Sequence, residues 1–514
     1  MYMNYKNIIK CLFVAGTLSV STSSCSDWLE VDMEDSILET TLFSTNDGFL
    51  IALNGIYSSL NQSSLYGGTL GTTGIDIMAQ YYNVGSTITA HTYYYYAGYA
   101  YTSAEFDGAS GSLWSSMYSL IANDNLLMEK CDESGAAILE RYYPLVKGEA
   151  LALRAMMHFD LMRFYGPIYS EATASQTCLP YQETSERSVL PLLTAKDYMD
   201  KVIRDLQEAA SLLKDSDPII TEGVKDGVLS DDGMDSYNWS YRQLRLNYYA
   251  VQALLARAYL WIGDKTNAYN IAKNEIIDKI ETEQLNVFPW MNRTAVLATI
   301  DNAKPDYVFS DEVMFSLYNM SRANLYNNYF SISVNSNNRL FFVGATEDWW
   351  SSSPAKLETF YDDTNDVRRQ MWSQEEGETS GDNATCLIKY QDFNVSEESA
   401  DTLTYRYMTP LIRKSEIYLI AAECTDDLTE AATYINTIRN TRGAASLEVT
   451  ADNKQELITK EFAREVIGEG QLFFYYKRLA MTSIISGTSG SNAYSMSLEN
   501  YEVPLPTSES DLRD

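Results

Sequence analysis

Two stretches of the chain mix flat aromatic rings with amides and carboxylates at a density that could hold a ring-shaped, hydroxylated ligand. The first runs from Asp76 to Tyr101 and contains Asp76, Gln80, Tyr81, Tyr82, His91, the run Tyr93 to Tyr96, Tyr99 and Tyr101. The second, residues 288–350, contains Phe288-Pro289-Trp290, Tyr318, Tyr326, Tyr329, Arg339 and Trp349-Trp350. A sugar ring presents an apolar C–H face and a rim of hydroxyls, so holding it takes aromatic surface beside a few hydrogen-bonding groups. On this chemistry the candidate ligand-binding residues are Asp76, Gln80, Tyr81, Tyr82, Trp290, Tyr329, Trp349 and Trp350. Each has a plainer alternative. Tyrosines at 93, 95, 99 and 101 also fit a half-buried strand, whose side chains alternate between faces. Asp76 also fits a turn or helix cap, and one of Trp349 and Trp350 also fits packing against helices.

A different chemistry is written at the start of the chain. Lys6 and Lys10 precede an apolar run from Cys11 to Val20, which ends in Ser21-Thr22-Ser23-Ser24-Cys25. The run has signal-peptide length, far below the ~20 residues needed to span a bilayer. Small residues before a cysteine fit cleavage ahead of a diacylated thiol, which makes residues 1–24 a lipoprotein signal and Cys25 the lipid attachment point. An aliphatic residue is usual where Thr22 stands, so an ordinary secretory signal is the alternative. Two or three acyl chains, at about 0.8 kcal/mol per buried methylene, hold a protein on a membrane without spanning it. Residues 25–40 then read as an acidic tether, and 41–514 as a single body.

Composition removes several function classes. With 38 Lys and Arg against 70 Asp and Glu, the formal charge is −32, which excludes a basic face for nucleic acid. Only His91 and His158 exist, without a His-Glu-x-x-His or Cys-x-x-Cys pattern, so zinc chemistry and a histidine triad are not expected. Cys131, Cys178, Cys386 and Cys424 are too scattered for a disulfide scaffold. The 39 tyrosines against 17 phenylalanines suggest aromatic surface kept in contact with water. No cofactor is expected. A structural calcium ion at Asp362-Asp363-Thr364-Asn365-Asp366 or within 226–235 is the weaker reading, because neither run has the glycine and closing glutamate of an EF-hand loop.

The elements that must position these residues are mainly helical. Lys147 to Tyr165 is apolar nearly all round and stops at Gly166-Pro167, so it reads as a buried helix. Its His158 is read as a satisfied interior histidine. Ala195 to Leu213 can return against it. Asn247 to Ile262, with alanines at 250, 253, 256 and 258, turns at Gly263-Asp264 into a helix carrying Ala268 and Ala272. Ile412–Glu423 with Leu428–Arg442, and Lys454–Ile467 with Gln471–Met481, read the same way. These four pairs, from 147–213, 247–280, 411–442 and 454–481, resemble tetratricopeptide units. Outside these pairs, 62–112, 214–246, 281–410 and 482–510 form an irregular lobe with a few short strands, with the ligand lobe drawn from 62–112 and 281–410. Loops of that length are usually functional.

Taken together the chain resembles the SusD/RagB-like nutrient-binding lipoproteins of the Bacteroidetes outer membrane. The resemblance rests on Cys25-Ser-Asp-Trp-Leu, Leu113-Trp114 through Asn125, Gly148-Glu-Ala-Leu-Ala-Leu-Arg-Ala155 and Phe164-Tyr-Gly166. It continues through Asp205-Leu-Gln-Glu-Ala-Ala210, Ala253 to Leu260, Leu411 to Glu423, Ile435 to Gly443 and Val503-Pro-Leu-Pro506. It implies four tetratricopeptide-like helix pairs supporting a loop-rich ligand lobe, with the site in the segment before the Leu113 helix and in the long insertion after the second pair. It also implies a surface glycan-binding protein, not an enzyme, that serves a SusC-like TonB-dependent transporter. A protein-binding adhesive lipoprotein and a glycoside hydrolase, with two carboxylates across a cleft, are the alternatives. One departure stands out. Where the family usually carries charges near Glu461 to Arg478, this chain has Phe462, Leu472 and Tyr475, so the ion pairs of that helix are expected to be missing.

Overall fold

A computed structural model of the chain describes residues 39–84, 91–186, 188–225, 240–282, 285–297, 305–348, 351–377, 383–392 and 403–513. Cys25, Trp349, Trp350 and the acidic run 226–235 lie outside them.

The sequence builds its helices with explicit ends. Helix α1 (Asn46–Ser59) is followed by a single turn, α2 (Ile75–Met78), and another, α3 (Tyr94–Ala97). Then come α4 (Ala104–Asp132), α5 (Tyr143–Tyr165), α6 (Ala195–Leu213), α7 (Tyr248–Trp261) and α8 (Lys265–Asn270). The side chains of Thr45, Ser103, Thr194, Asn247 and Asp264 accept the otherwise orphaned amide hydrogens at the starts of α1, α4, α6, α7 and α8. Helix α5 is buried from Leu145 to Tyr165 and packs against α4 on one side and α6 on another. The all-round apolar pattern of its sequence required that.

In the C-terminal half, α9 (Lys356–Phe360) lies in the loop lobe, and α10 (Lys414–Cys424), α11 (Leu428–Arg442), α12 (Lys454–Glu465) and α13 (Leu472–Arg478) extend the helical layer. The expected helix from Ile412 begins later. Met408–Arg413 is instead a buried strand, β5, paired antiparallel with β1 (Val313–Tyr318). A small sheet in the order β2 (Phe341–Phe342), β4 (Asn383–Leu387), β3 (Trp372–Glu376) completes the loop lobe's core. The segment 62–112 is less irregular than its composition suggests, since α4 already starts at Ala104.

Two sequence expectations are corrected here. The helix from Lys454 is rich in ion pairs, not stripped of them. Arg368 bonds Asp366 at 2.5 Å, Glu461 at 2.9 Å and Glu465 at 2.8 Å. Arg442 spans Glu312 at 2.5 Å and Glu465 at 2.8 Å. Arg413 reaches Glu465 and Glu469, both at 2.8 Å, Lys389 joins Glu469 at 2.6 Å, and Arg439 and Arg464 each meet Glu461 at 2.6 Å. Charges from the loop lobe and from the helices thus close into one buried seam. The substituted positions found another use: Phe462 of α12 and Tyr475 of α13 stack on each other at 4.6 Å.

The tyrosines, in turn, are largely interior. Tyr66 donates to Asp160 at 2.5 Å, Tyr57 to Glu149 at 2.9 Å and Tyr390 to the Gly468 carbonyl at 2.8 Å. These three buried hydroxyls are tolerated because each finds an internal acceptor.

Candidate functional site

The structure separates the first aromatic stretch into two parts with opposite surroundings. Asp76, Gln80, Tyr81 and Tyr82 are all interior, none more than 4 % exposed. Asp76 accepts the Gly468 amide at 2.7 Å and the Gly470 amide at 3.1 Å, and Tyr82 donates to it at 3.3 Å. It therefore ties this segment to the turn between α12 and α13, the cap-type role. Gly470 sits at φ +67°, and a Cβ there would meet the Leu70 carbonyl oxygen at 1.9 Å, so only glycine permits the approach. Burial pushes the Asp76 carboxyl up to about 7 against the pull of those amides and of Lys389. Tyr81 donates to the Ala463 carbonyl at 2.5 Å, and Gln80 to the Ala97 carbonyl at 2.8 Å and Tyr99 at 3.2 Å. Gln80 takes a left-handed φ of 60°, and the buried Lys356 Nζ donates to the Gln80 and Tyr81 carbonyls at 2.8 and 2.5 Å. No face of these four residues is open to a ligand.

The second part, from His91, turns outward. Two main-chain bonds, Asn83 to the Phe341 carbonyl and Thr92 to the Asn337 carbonyl, each 2.9 Å, lay this stretch along the loop 331–342. His91 fixes the junction. Its Nδ1 accepts the Tyr93 amide at 3.2 Å, which leaves Nε2 to donate to the Arg339 carbonyl at 3.3 Å. Burial lowers the His91 pKa and so favours the neutral ring that this pairing requires.

Helix α3 stands directly after it, anchored through Tyr96 on Phe106 of α4 at 5.5 Å. The rings of Tyr93, Tyr94 and Tyr95 are left half-exposed, and Tyr329 meets Tyr93 edge-on at 6.2 Å. Burial, with Tyr329 and Tyr95 beside it, keeps the Tyr93 phenol protonated. Thr92 hydrogen-bonds Asn338 at the margin, and Asn335, Asn337 and Asn338 are exposed next to it. The result is a half-open aromatic platform with a hydroxyl and amide rim on the loop lobe.

Of the sequence-predicted residues, Tyr329 alone among those described lies on this platform. Trp290 is half-buried elsewhere, its ring 4.8 Å from Tyr418 of α10 with the Lys414 ammonium 4.5 Å over it. Trp349 and Trp350 lie outside the described residues. The rim was missed in the sequence, although Asn335-Ser336-Asn337-Asn338 is a visible amide run.

Other chemistry is accounted for by structural partners. His158 is fully buried, stacked on Tyr181 at 3.8 Å and bonded to Tyr198 at 2.8 Å, and burial depresses its pKa to about 3. In the 362–366 run, Asp362 faces Arg439 and Arg464, Asp366 is held by Arg368, and Asp363 accepts the Asn365 and Ala445 amides. These carboxylates are turned to guanidinium groups and turn amides, not to a shared centre. Among the described residues no group of three or more His, Cys, Asp or Glu side chains is arranged to hold a metal ion, and Cys131, Cys178, Cys386 and Cys424 are free thiols.

The helical layer, the loop lobe and the platform it carries define a class, and comparison with known proteins names it. Residues 27–222 match the family model described as starch-binding, associating with outer membrane, and residues 301–508 match the SusD family model. The chain belongs to the SusD/RagB-like family.

Among curated proteins it is 26 % identical to SusD-like protein P38 of Formosa agariphila over 222 residues, which is 40 % of this chain and 37 % of that relative. The chain therefore spans well under half the length of that relative in the match. Among solved structures, a SusD superfamily protein from Bacteroides thetaiotaomicron superposes with a TM-score of 0.64 at 20 % identity, covering 91 % of this chain and 98 % of that one. Surface glycan-binding protein A from the same organism gives 0.59 at 17 % identity, covering 91 % and 98 %. At those identities the likeness is one of fold.

Proposed function

We propose that the protein is a glycan-binding lipoprotein of the outer membrane that captures oligo- or polysaccharide at the cell surface and delivers it to a partner SusC-like TonB-dependent transporter. The observation that carries the ligand class is the Tyr93–Tyr329 platform with its Thr92 and Asn338 rim, exposed on the lobe that the helices support. Its half-open rings suit the C–H face of a sugar, and its amides suit equatorial hydroxyls. Both family models support the placement in this class, and the likeness to a surface glycan-binding protein agrees with a carbohydrate ligand. The protein is a binder and not an enzyme on this reading, held to the membrane by lipid at Cys25 alone.

Extended glycans lose conformational freedom on docking and give up good hydration, so affinity falls in the micromolar to millimolar range. Affinity electrophoresis through gels containing starch, xylan, mannan, galactan or pectin tests the reading. Retardation by one polymer, weakened in Tyr329→Ala and Tyr93→Ala, supports it. Equal retardation of both variants and the parent sinks the platform, and none in any gel sinks the ligand class. Incorporation of labelled palmitate that disappears in Cys25→Ser tests the anchor.

A further inference from the structure

The stretches of chain around the platform share an uneven charge pattern. Residues 11–129, which supply α3, the rings of Tyr93 to Tyr95 and nearly all of α4, contain no lysine or arginine, although the chain holds 38 in 514 residues. Residues 323–355, which supply Tyr329 and the amide run, contain one, Arg339. Residues 479–512 again contain none. The aromatic stretch packs on them through the Tyr99 ring, 6.1 Å from Tyr494, and through the Tyr101 hydroxyl, which donates to the Asn500 carbonyl.

The cations within and beside these stretches are turned inward. Arg339 is 2 % exposed and donates to the Ile332 and Val334 carbonyls at 2.8 and 3.4 Å. Arg322 and Lys356, on either side of the second stretch, are buried, Arg322 donating to the Tyr405 carbonyl and Lys356 to those of Gln80 and Tyr81. Carboxylates are placed otherwise. Burial and the charge of Glu105, exposed in the first turn of α4, raise the Tyr95 phenol above its usual range. Burial and Glu375, half-exposed on β3, do the same to Tyr326, three residues before Tyr329.

Such a surface sorts ligands by charge. A neutral sugar needs no ionic partner, since tyrosine rings meet its C–H face and threonine and asparagine meet its hydroxyls. A uronate or a sulfate ester gives up hydration on docking and is held well only where arginine or lysine replaces that water. Here it would meet two carboxylates and one interior guanidinium, within a chain whose formal charge of −32 repels polyanions at longer range.

We propose that the platform selects glycan segments free of carboxylate and sulfate groups, with charge and not shape as the discriminator. The proposal rests on the glycan-binding reading above and narrows it to a substrate class.

Matched polymers separate charge from shape. The neutral polysaccharide that retards the protein is converted to carboxymethyl and hydroxyethyl derivatives of equal, low substitution. Each is titrated calorimetrically into the protein at about 10 mM and about 1 M sodium chloride, between which the screening length falls from about 30 to about 3 Å. At low salt the carboxymethyl polymer should bind about tenfold more weakly than the hydroxyethyl one, and at high salt within about twofold of it. Glu105→Lys should raise the ratio of carboxymethyl to hydroxyethyl affinity about threefold at low salt. Gels of polygalacturonan, alginate or chondroitin sulfate should not retard the protein. Equal affinity for the two derivatives at low salt, or retardation by one of those native polyanions that Tyr329→Ala weakens, overturns the charge selection and leaves the glycan-binding reading standing. A difference that persists unchanged at high salt assigns the discrimination to shape and overturns it likewise. No binding of any polymer, neutral or acidic, overturns the reading and the charge selection together.

Discussion

Residues 76–82 and 91–95 both set tyrosines beside polar residues, yet the first, which also carries Ile77, Met78 and Ala79, is sealed inside, while the second, past the buried His91, faces out. The difference lies in what each meets. Asp76 finds two glycine amides and Tyr81 finds a main-chain carbonyl, so the first segment satisfies its polar atoms internally and can be buried. The second is carried by a single helical turn anchored through Tyr96, which leaves Tyr93 to Tyr95 half-open. An aromatic and polar composition therefore marks either a buried tie or a binding surface, and only the partners tell them apart.

That contrast can be broken from the structural side first. Arg442→Met leaves Glu312 and Glu465 as buried carboxylates short of a partner, and should cost about 3–5 kcal/mol in urea unfolding while glycan retardation per folded molecule stays unchanged. Asp76→Ala orphans two buried amides and should cost about 2–4 kcal/mol, again without a direct effect on the platform. Equal losses of binding in these variants would mean that the two segments are not functionally distinct.

Protonation sharpens the same comparison. Asp76 has its folded pKa raised from 3.8 to about 7, so the folded state binds the extra proton between those values. Its contribution to stability must decline as pH rises from about 4 to about 7 and level off above. The stability gap between the parent and Asp76→Asn should narrow over that window, and a gap independent of pH would contradict the burial assigned to the carboxyl. Glu461 and Glu465 run the other way. Burial alone would raise them, but the guanidinium groups around them hold both below the usual carboxylate range. The stability they add is full above the unfolded carboxyl pKa and lost as pH falls through their depressed folded values.

The smallest expected effect belongs to the surface. Tyr329→Ala should leave the melting temperature within a degree or so and weaken glycan binding roughly tenfold, or ~1.4 kcal/mol. Trp290→Ala, whose ring is committed to Tyr418 and Lys414, should lower stability and leave glycan affinity as it was. The reverse pattern would return Trp290 to the binding site and remove Tyr329 from it.

The sequence by itself determined much of the local order: helix ends at Ala195, Asn247, Gly166-Pro167 and Gly263, and that Lys147 to Tyr165 has no face for water. These are written in spacing and capping chemistry, which act within a few residues. It also carried the family, because those local signals recur in a fixed order. Tertiary structure alone decided that Asp76 caps a turn almost four hundred residues away, that Phe462 and Tyr475 replace charge with a stack, and that Asn338 joins Thr92 beside Tyr93 and Tyr329. Each depends on a partner far along the chain, and burial or exposure of a tyrosine is set by whether such a partner takes its hydroxyl and covers its ring.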